Sequence, residues 1–398
     1  MKRIYTGKGY ITLWALAGIW SVSALTSLPG LAISPISEKL SVIFRNSTEL
    51  DIQLLTTLPS LLIIPFILFA GYVSEKVGYL RLLYIGLSLF LISGGLYFVC
   101  TDIRQLIAVS AMLGIGAGII IPLSTSLVSR FFAGEERTRQ YGYISAITNI
   151  ALVVATAVTG WLADIEWRLP FLVYLLPIVS LVLVPAIGRC DNVATQGNNA
   201  AFSATDDFLD YTRLSRYMFY YLLITYLVMA VTINLPFLMG DNGFDSGVVG
   251  MVTSLFFLAM MLPGLFINRI LAVVGNRVTI FALLLIGLGM LCVFLGKSLL
   301  PILLGCIVAG FGYGMAQPYV YDVTTALASP KKATYALALV MTMNYVAIVI
   351  APFVVESVQK LLGENGNSFP FILNAVISFA AMLFLFIRNM TVVKNRAK

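Results

Sequence analysis

The sequence of 398 residues contains no histidine. Histidine proton relays and the usual zinc sites are therefore excluded. There are only four cysteines, with no C-x-x-C spacing, so we expect buried thiols rather than a metal or redox site. The chain also lacks a Walker-type phosphate loop, and no acid pair or Ser/Lys dyad lies inside its apolar segments. We therefore expect no metal, no cofactor, no catalytic residues and no enzymatic activity.

Charge is scarce as well. Only 11% of the residues are charged, whereas soluble domains carry roughly 25%. Hydrophobic residues make up 60%, and apolar runs of about 20 residues, long enough to cross a bilayer as helices, recur along the whole chain. We predict an all-α membrane protein with twelve transmembrane helices, at roughly 10–33, 51–73, 80–99, 105–129, 141–163, 169–188, 215–240, 247–267, 278–296, 299–326, 333–356 and 369–388. The first run is too long for a signal peptide, and we expect it to be retained.

The positive charges predict how the chain is oriented. When the twelve runs are threaded in alternation, 19 of the 25 Lys and Arg residues fall on the side that holds the N-terminus. Because cytoplasmic loops carry the excess of Lys and Arg, both termini are expected in the cytoplasm, with the protein in the inner or plasma membrane. The net charge of +7 follows from this topology, and no nucleic-acid partner is indicated.

A glycine pattern, G-x-G-x-G-x-x-x-P, occurs twice. The copies are Gly114, Gly116, Gly118 and Pro122, and Gly310, Gly312, Gly314 and Pro318. Their offset, 310 − 114 = 196 residues, is close to half the chain and indicates a duplication. We predict a six-helix half at 1–188, a polar cytoplasmic linker at 189–213 and a second six-helix half at 214–398.

The loop after the second run carries a motif made of Gly71, Glu75, Lys76, Gly78 and Arg81. It resembles the loop signature G-x-x-x-D-R-x-G-R-R/K of the major facilitator superfamily, with Glu for Asp and Lys for the first Arg. A degenerate counterpart follows the eighth run, with Gly264, Asn268, Arg269, Gly275, Asn276 and Arg277. A glycine here lets two helices approach closely, and charges at a helix end can pair so as to stabilise a state closed on one side.

Two departures separate the chain from the drug:proton antiporter branch, which it otherwise resembles most. That branch usually has an arginine four residues before the first glycine of the fourth-helix pattern, where this chain has Ser110. Its fifth-helix motif G-P-x-x-G-G is reduced here to Gly160. Both departures weaken the assignment to a proton-driven drug exporter.

One carboxylate lies at depth in an apolar run. Asp322 is nine residues before Lys331, about two helical turns from the loop. An ionisable group in the bilayer is a functional candidate, here a protonation site. The alternative, which its depth favours, is a structural ion pair with Arg277 or Arg269 that locks the cytoplasmic side.

The resemblance implies a substrate cavity near the membrane midplane, lined by the first, fourth, seventh and tenth helices. Candidate substrate-binding residues are Trp20, Ser27, Asn149, Tyr226, Asn234, Tyr313, Gln317, Tyr321 and Asn344. The spacing i, i+4, i+8 puts Tyr313, Gln317 and Tyr321 on one helix face. For each residue taken alone, helix packing is the alternative.

These features predict a secondary active transporter that works by rocker-switch alternating access and is expected to be a monomer. The aromatic, amide and hydroxyl lining suits a small neutral or amphipathic solute, and protons are one candidate coupling ion. Export is slightly favoured. Uptake of a neutral metabolite by a symporter or facilitator is the alternative, and a polytopic sensor without transport is a remote one.

Overall fold

The computed structural model describes residues 3–29, 33, 40, 43–44, 49–190, 208–363 and 366–396. A short antiparallel hairpin of β1 (Arg3–Tyr5) and β2 (Tyr10–Thr12) precedes the helices. The thirteen α-helices of the described residues are α1 (Leu13–Ala24), α2 (Glu49–Val77), α3 (Tyr79–Leu96), α4 (Ile103–Phe131), α5 (Gly134–Ile165), α6 (Pro177–Gly188), α7 (Tyr211–Asp241), α8 (Ser246–Leu265), α9 (Ile267–Val274), α10 (Val278–Leu295), α11 (Leu299–Ala326), α12 (Ala333–Leu362) and α13 (Phe369–Arg396). Short 3-10 turns extend three of them, at Leu25–Ser27, Leu169–Leu175 and Gly275–Arg277.

The prediction of an all-α membrane fold is confirmed. Within the described residues, eleven helical segments are long and apolar enough to cross a bilayer, and a shorter apolar helix covers Leu13–Ser27. The 3-10 turn Leu169–Leu175 and α6 together form one of the eleven. Each span is continuous helix because backbone groups in hydrocarbon must bond within their own segment.

The chain folds as two compact units. The first contains residues 1–217 and 321–345, and the second contains residues 218–320 and 346–398. The last turns of α11 and the first turns of α12 thus belong to the first unit, whereas the rest of both helices belongs to the second. Most of the predicted linker, residues 191–207, lies outside the described residues.

The repeated glycines mark close helix contacts in each unit. In the first unit, a Cβ at Gly114 or Gly118 would come within 2.6–2.7 Å of α2, and one at Gly116 within 2.8 Å of the backbone of Phe90 in α3. In the second unit, Gly310 and Gly314 face α8 in the same way. Gly312 faces α10, with the carbonyl of Ala282 2.9 Å from the position of a Cβ. Each copy therefore packs one helix into the groove between two others, with no room for a side chain.

The two halves of the sequence also share a turn. Gly78, just before α3, has a φ of +91°, and Gly275, in the turn before α10, has a φ of +58°. The offset, 275 − 78 = 197 residues, is within one residue of that between the glycine repeats. Left-handed backbone at both positions accounts for glycine there.

The cysteines follow the expectation at three of four positions. Cys100, Cys190 and Cys306 are buried, but Cys292 on α10 is exposed. All four thiols are free.

Candidate functional site

A largely buried ion pair in the first unit joins the start of α5 to the end of α11. The Nε of Arg137 donates to Oδ1 of Asp322 at 2.7 Å, and the hydroxyl of Thr138 donates to Oδ2 at 2.9 Å. Both charged side chains are about four-fifths buried, with 23% and 20% exposed. We call Arg137, Thr138 and Asp322 the latch.

An aromatic layer lies beside the latch. The hydroxyl of Tyr141 lies 3.1 Å from Oγ1 of Thr325, and its ring contacts that of Tyr321 edge-on at 6.0 Å. Tyr141 is fully buried, and Tyr321 is 5% exposed. The latch is thus shielded from solvent on this side, which strengthens its electrostatic attraction.

Further contacts hold the start of α12 in the same unit. The guanidinium of Arg130 stacks over the ring of Tyr79 at 4.4 Å and donates to Thr334 at 3.4 Å. At Gly71, a Cβ would lie 2.5 Å from the Cβ of Ala338. This close approach gives the glycine of the predicted loop motif a packing reason.

The expected partner of Asp322 was wrong. The structure pairs Asp322 with Arg137 and Thr138 of α5, not with Arg277 or Arg269. Arg269 is exposed and contacts the ring of Phe266 at 5.9 Å, and Arg277 is exposed as well. The sequence reasoning looked for a base near the loop after the eighth helix, whereas the carboxylate is reached from the first turn of the fifth.

The other members of the loop motif lie where α2 ends and α3 begins. Lys76 is exposed and donates to the hydroxyl of Tyr72 on its own helix at 2.7 Å. Arg81 is exposed, and Glu75 is half-buried. The motif is therefore built around its two glycines, Gly71 at a helix contact and Gly78 at the turn.

A second polar group, which we call the tyrosine cluster, is formed by Tyr221, Tyr313 and Gln317 in the second unit. The Nε2 of Gln317 donates to the hydroxyl of Tyr221 at 3.2 Å, and the hydroxyls of Tyr221 and Tyr313 are 3.5 Å apart. The two rings are nearly parallel, with their centroids 6.5 Å apart. α7 and α11 thus carry an uncharged set of hydroxyl, amide and aromatic groups.

Tyr226 lies on α7 a little more than one turn beyond Tyr221. It is 6% exposed, and among the residues that the structure describes its hydroxyl has no hydrogen-bond partner. A buried hydroxyl without a partner is costly, so such a group calls for an explanation.

Three of the remaining candidates make hydrogen bonds of the kind that helix packing provides. Trp20 donates to Oε1 of Gln140 at 3.1 Å, and Ser27 donates to the carbonyl of Thr148 at 3.2 Å, both joining α1 to α5. Asn149 donates to the carbonyl of Ser145 in its own helix at 2.8 Å. Asn234 on α7 and Asn344 on α12 are both half-buried.

Ser110 explains one departure from the antiporter pattern. It is fully buried, and its hydroxyl lies 2.6 Å from that of Tyr97, whose ring stacks on Phe171 at 4.3 Å. An arginine at this position would have to displace Tyr97 from that stack. The fourth helix is therefore uncharged here because the space is filled by an aromatic cluster.

An apolar cavity of about 530 Å³ opens between α1, α5 and residues 172–180 of the first unit. Apart from Ser21 and Ser180, whose hydroxyls are 3.0 Å apart, its lining is alanine, leucine and valine. Trp20, Ser27 and Asn149 do not line it. Among the described residues, no group of His, Cys, Asp or Glu could hold a metal ion.

Sequence reasoning missed three residues of these sites. In the sequence, Arg137 is only one of the bases that predict the topology, and neither Thr138 nor Tyr221 is among the predicted site residues. The spacing of Arg137 and Thr138 at the start of a helix carries no signal by itself. Tyr221 lies close to Tyr226 on the helix that the resemblance assigns to the cavity, and that position was the available clue.

A family model and known relatives both match this sequence. The Major Facilitator Superfamily model matches residues 15–352 and 217–398. The quinolone resistance protein NorA of Staphylococcus aureus is 29% identical over 121 residues, 29% of this chain and 31% of that protein. The multidrug transporter protein MdtP of Bacillus subtilis is 27% identical over 118 residues, 29% of this chain and 22% of that protein. Each match thus spans less than a third of the relative's length.

Solved structures share the fold at low identity. The human organic anion transporter MFSD10 superposes with a TM-score of 0.72 at 17% identity, covering 94% of this chain and 97% of that one. The proton:xylose symporter XylE, bound to 6-bromo-6-deoxy-D-glucose, gives 0.68 at 14% identity, covering 93% and 96%. With the family model matching most of the chain, these findings identify it as an integral membrane protein that belongs to the Major Facilitator Superfamily of transporters.

Proposed function

We propose that the protein is a secondary transporter of a small neutral or amphipathic solute, working by rocker-switch alternating access in the cell membrane. The observation that carries this proposal is the uncharged tyrosine cluster together with the unpartnered hydroxyl of Tyr226. All of them lie on α7 and α11, the seventh and tenth predicted spans and two of the four that the resemblance assigns to the cavity. A solute that hydrogen-bonds Tyr226 and stacks on the rings would satisfy a group that the protein itself leaves unsatisfied.

The direction is proposed as export, with both termini in the cytoplasm. Two relatives are named as a quinolone resistance protein and a multidrug transporter, and the site carries no charge clamp for a nutrient anion. In this orientation the latch lies at the cytoplasmic end, and its ion pair would act there as a gate.

Uptake of a neutral metabolite is the second candidate. The amide of Gln317 and the tyrosine hydroxyls are also the groups that bind a polyol. The two candidates differ in which solutes stabilise the purified protein and in which direction they move.

A binding screen and a flux assay separate these candidates. Purified protein is screened by thermal shift against a fluoroquinolone, a lipophilic cationic dye and a set of neutral sugars. The stabilising compound is then followed in proteoliposomes with and without an imposed pH gradient. Export is supported by gradient-dependent movement of the drug or dye, and uptake by movement of a sugar alone. If no solute of either class moves, the transport proposal is wrong.

Gln317→Ala is expected to weaken binding of the stabilising solute about fivefold to tenfold, because a hydrogen-bonding group worth about 1 kcal/mol is lost from the cluster. The measurement is the Kd by titration calorimetry on purified protein. Gln359→Ala, which removes the same side chain from an exposed contact with Gly366, is the matched control and should leave the Kd unchanged. An unchanged Kd for Gln317→Ala would remove this residue from the site.

A further inference from the structure

The N-terminal hairpin has a tightly bonded tip, residues 6–9. The amide of Thr6 donates to the carbonyl of Gly9 at 2.9 Å, and the Thr6 hydroxyl donates to the same carbonyl at 3.1 Å. Gly7 has a φ of +79°, a backbone conformation that other residues rarely adopt. Thr6 is fully buried, although β1 and β2 are only three residues each.

This tip docks on the turn between α4 and α5. The amide of Ala133 donates to the carbonyl of Thr6 at 2.9 Å. The Nζ of Lys8 donates to the carbonyls of Ser129 and Arg130, at 3.0 and 3.1 Å. These carbonyls lie in the last turn of α4, where carbonyls lack intrahelical partners and attract a positive charge.

The docked lysine lies near two arginines, one of which belongs to the latch. Arg130 and Arg137 act on it electrostatically from the end of α4 and the start of α5. The first turn of α5 also carries Glu135 and Glu136, and Glu136 is paired with Arg139. Burial, followed by the charges of Arg137 and then Arg130, lowers the pKa of Lys8 from 10.5 to about 8.

We propose that the hairpin is a brace for the latch and that Lys8 is its positioning residue. The tip holds the segment 129–137, from which both Arg130 and Arg137 extend, so that Arg137 meets Asp322. At the other end the hairpin is anchored by Thr12, whose hydroxyl accepts the amide of Ala15 at the start of α1. Undocking the tip releases this segment and favours opening of the latch. This inference rests on the proposed role of the latch as a gate.

The brace is expected to respond to pH. An undocked Lys8 has its ordinary pKa of 10.5, whereas the docked one has a pKa of about 8. Between these values the docked state binds fewer protons, so raising the pH favours docking, and below pH 8 the balance changes little. From pH 7 to pH 9, docking should gain about tenfold over undocking.

Opening is measured as the labelling rate of a buried cysteine in the loop that follows α11. Ser329, 3% exposed and seven residues after Asp322, is changed to Cys in a background where the exposed Cys292 is Ser. The full-length protein is purified in nanodiscs and labelled with a maleimide. Gly7→Ala, which strains the turn and overlaps the carbonyl of Ala133, should accelerate labelling about tenfold or more. Arg3→Met, an exposed cation of the same hairpin, should not.

The pH profile tests Lys8 separately from folding. The labelling rate of Lys8→Met is divided by that of the parent at each pH, which cancels the intrinsic reactivity of the thiol. This ratio should rise about tenfold from pH 7 to pH 9, because only the parent gains docking. A flat ratio would overturn the role of Lys8, even if Gly7→Ala fails to fold.

Asp322→Asn distinguishes the brace from the gate itself. If Asp322→Asn accelerates labelling and the hairpin variants do not, the brace is wrong and the gate stands. If none of these variants changes the rate, the latch is not a gate, and the proposed function loses its gating step as well.

Discussion

Gly314→Ala is expected to lower the melting temperature of the purified protein by about 2–4 °C. Gly314 is the tightest of the repeated glycines, since a Cβ there would overlap the backbone carbonyl of Met260 in α8. Because the obstacle is backbone rather than a flexible side chain, α8 and α11 must move apart. Overpacking of this kind costs about 1–3 kcal/mol, and a backbone clash belongs at the upper end of that range.

A graded series isolates this effect from that of any added methyl group. Gly310→Ala, where the nearest atom is 2.7 Å away, should lower the melting temperature less than Gly314→Ala. Gly160→Ala, in α5 with no atom within 4 Å, should leave it unchanged or raise it slightly, because alanine is the better helix former by roughly 0.5–1 kcal/mol. Equal melting temperatures for Gly314→Ala and Gly160→Ala would contradict the close contact.

These glycines show why much of the fold is predictable from the sequence. Apolar length and the spacing of small residues are local properties, and a helix with Gly310, Gly312 and Gly314 on it can be read without knowing its neighbours. Duplication then supplies a second, independent copy of the same signal. The structure adds which helices fill the spaces, with the first and third glycines of each copy on one neighbour and the second on another.

The ion pair of the latch is not predictable from the sequence. Arg137 follows the positive-inside bias as well as any other base, so its charge carries no information about a partner. The depth of Asp322 in an apolar run marks it as a candidate site, but its partner Arg137 is 185 residues away in the chain. Only the packing of α5 against the end of α11 brings the two side chains together. Tyr321 illustrates the same limit, because it shares a helix face with Tyr313 and Gln317 but contacts Tyr141 in the first unit instead.

Asp322→Asn is expected to change transport chiefly through the conformational equilibrium. The asparagine keeps an acceptor for Thr138 but leaves Arg137 without its counter-ion in a site four-fifths buried. A hydrogen bond to a charged group is worth about 1.5–3 kcal/mol, so the closed state should lose about tenfold to a hundredfold in population. Labelling at position 329 measures this shift directly, alongside solute flux.

Two companion variants make the interpretation specific. Glu136→Gln breaks the neighbouring pair with Arg139, which is more exposed and closes within one helix, and should change labelling at most a few-fold. Exchanging the charges, as Arg137→Asp with Asp322→Arg, should restore part of the closed population that each single variant loses. Failure of the exchange together with a full effect of each single variant would indicate that Thr138 and the geometry of the carboxylate matter more than the charge pair.

Asp322→Asn also decides whether Asp322 acts as a lock or carries the coupling proton. If the carboxylate acts as a lock, Asp322→Asn alters labelling and counterflow exchange together, because both require the protein to change state. If it instead carries the coupling proton, flux driven by a pH gradient is lost while counterflow exchange continues at the parent's rate. The geometry argues for the lock, since both oxygens of the carboxylate already have partners in the protein, Arg137 at 2.7 Å and Thr138 at 2.9 Å.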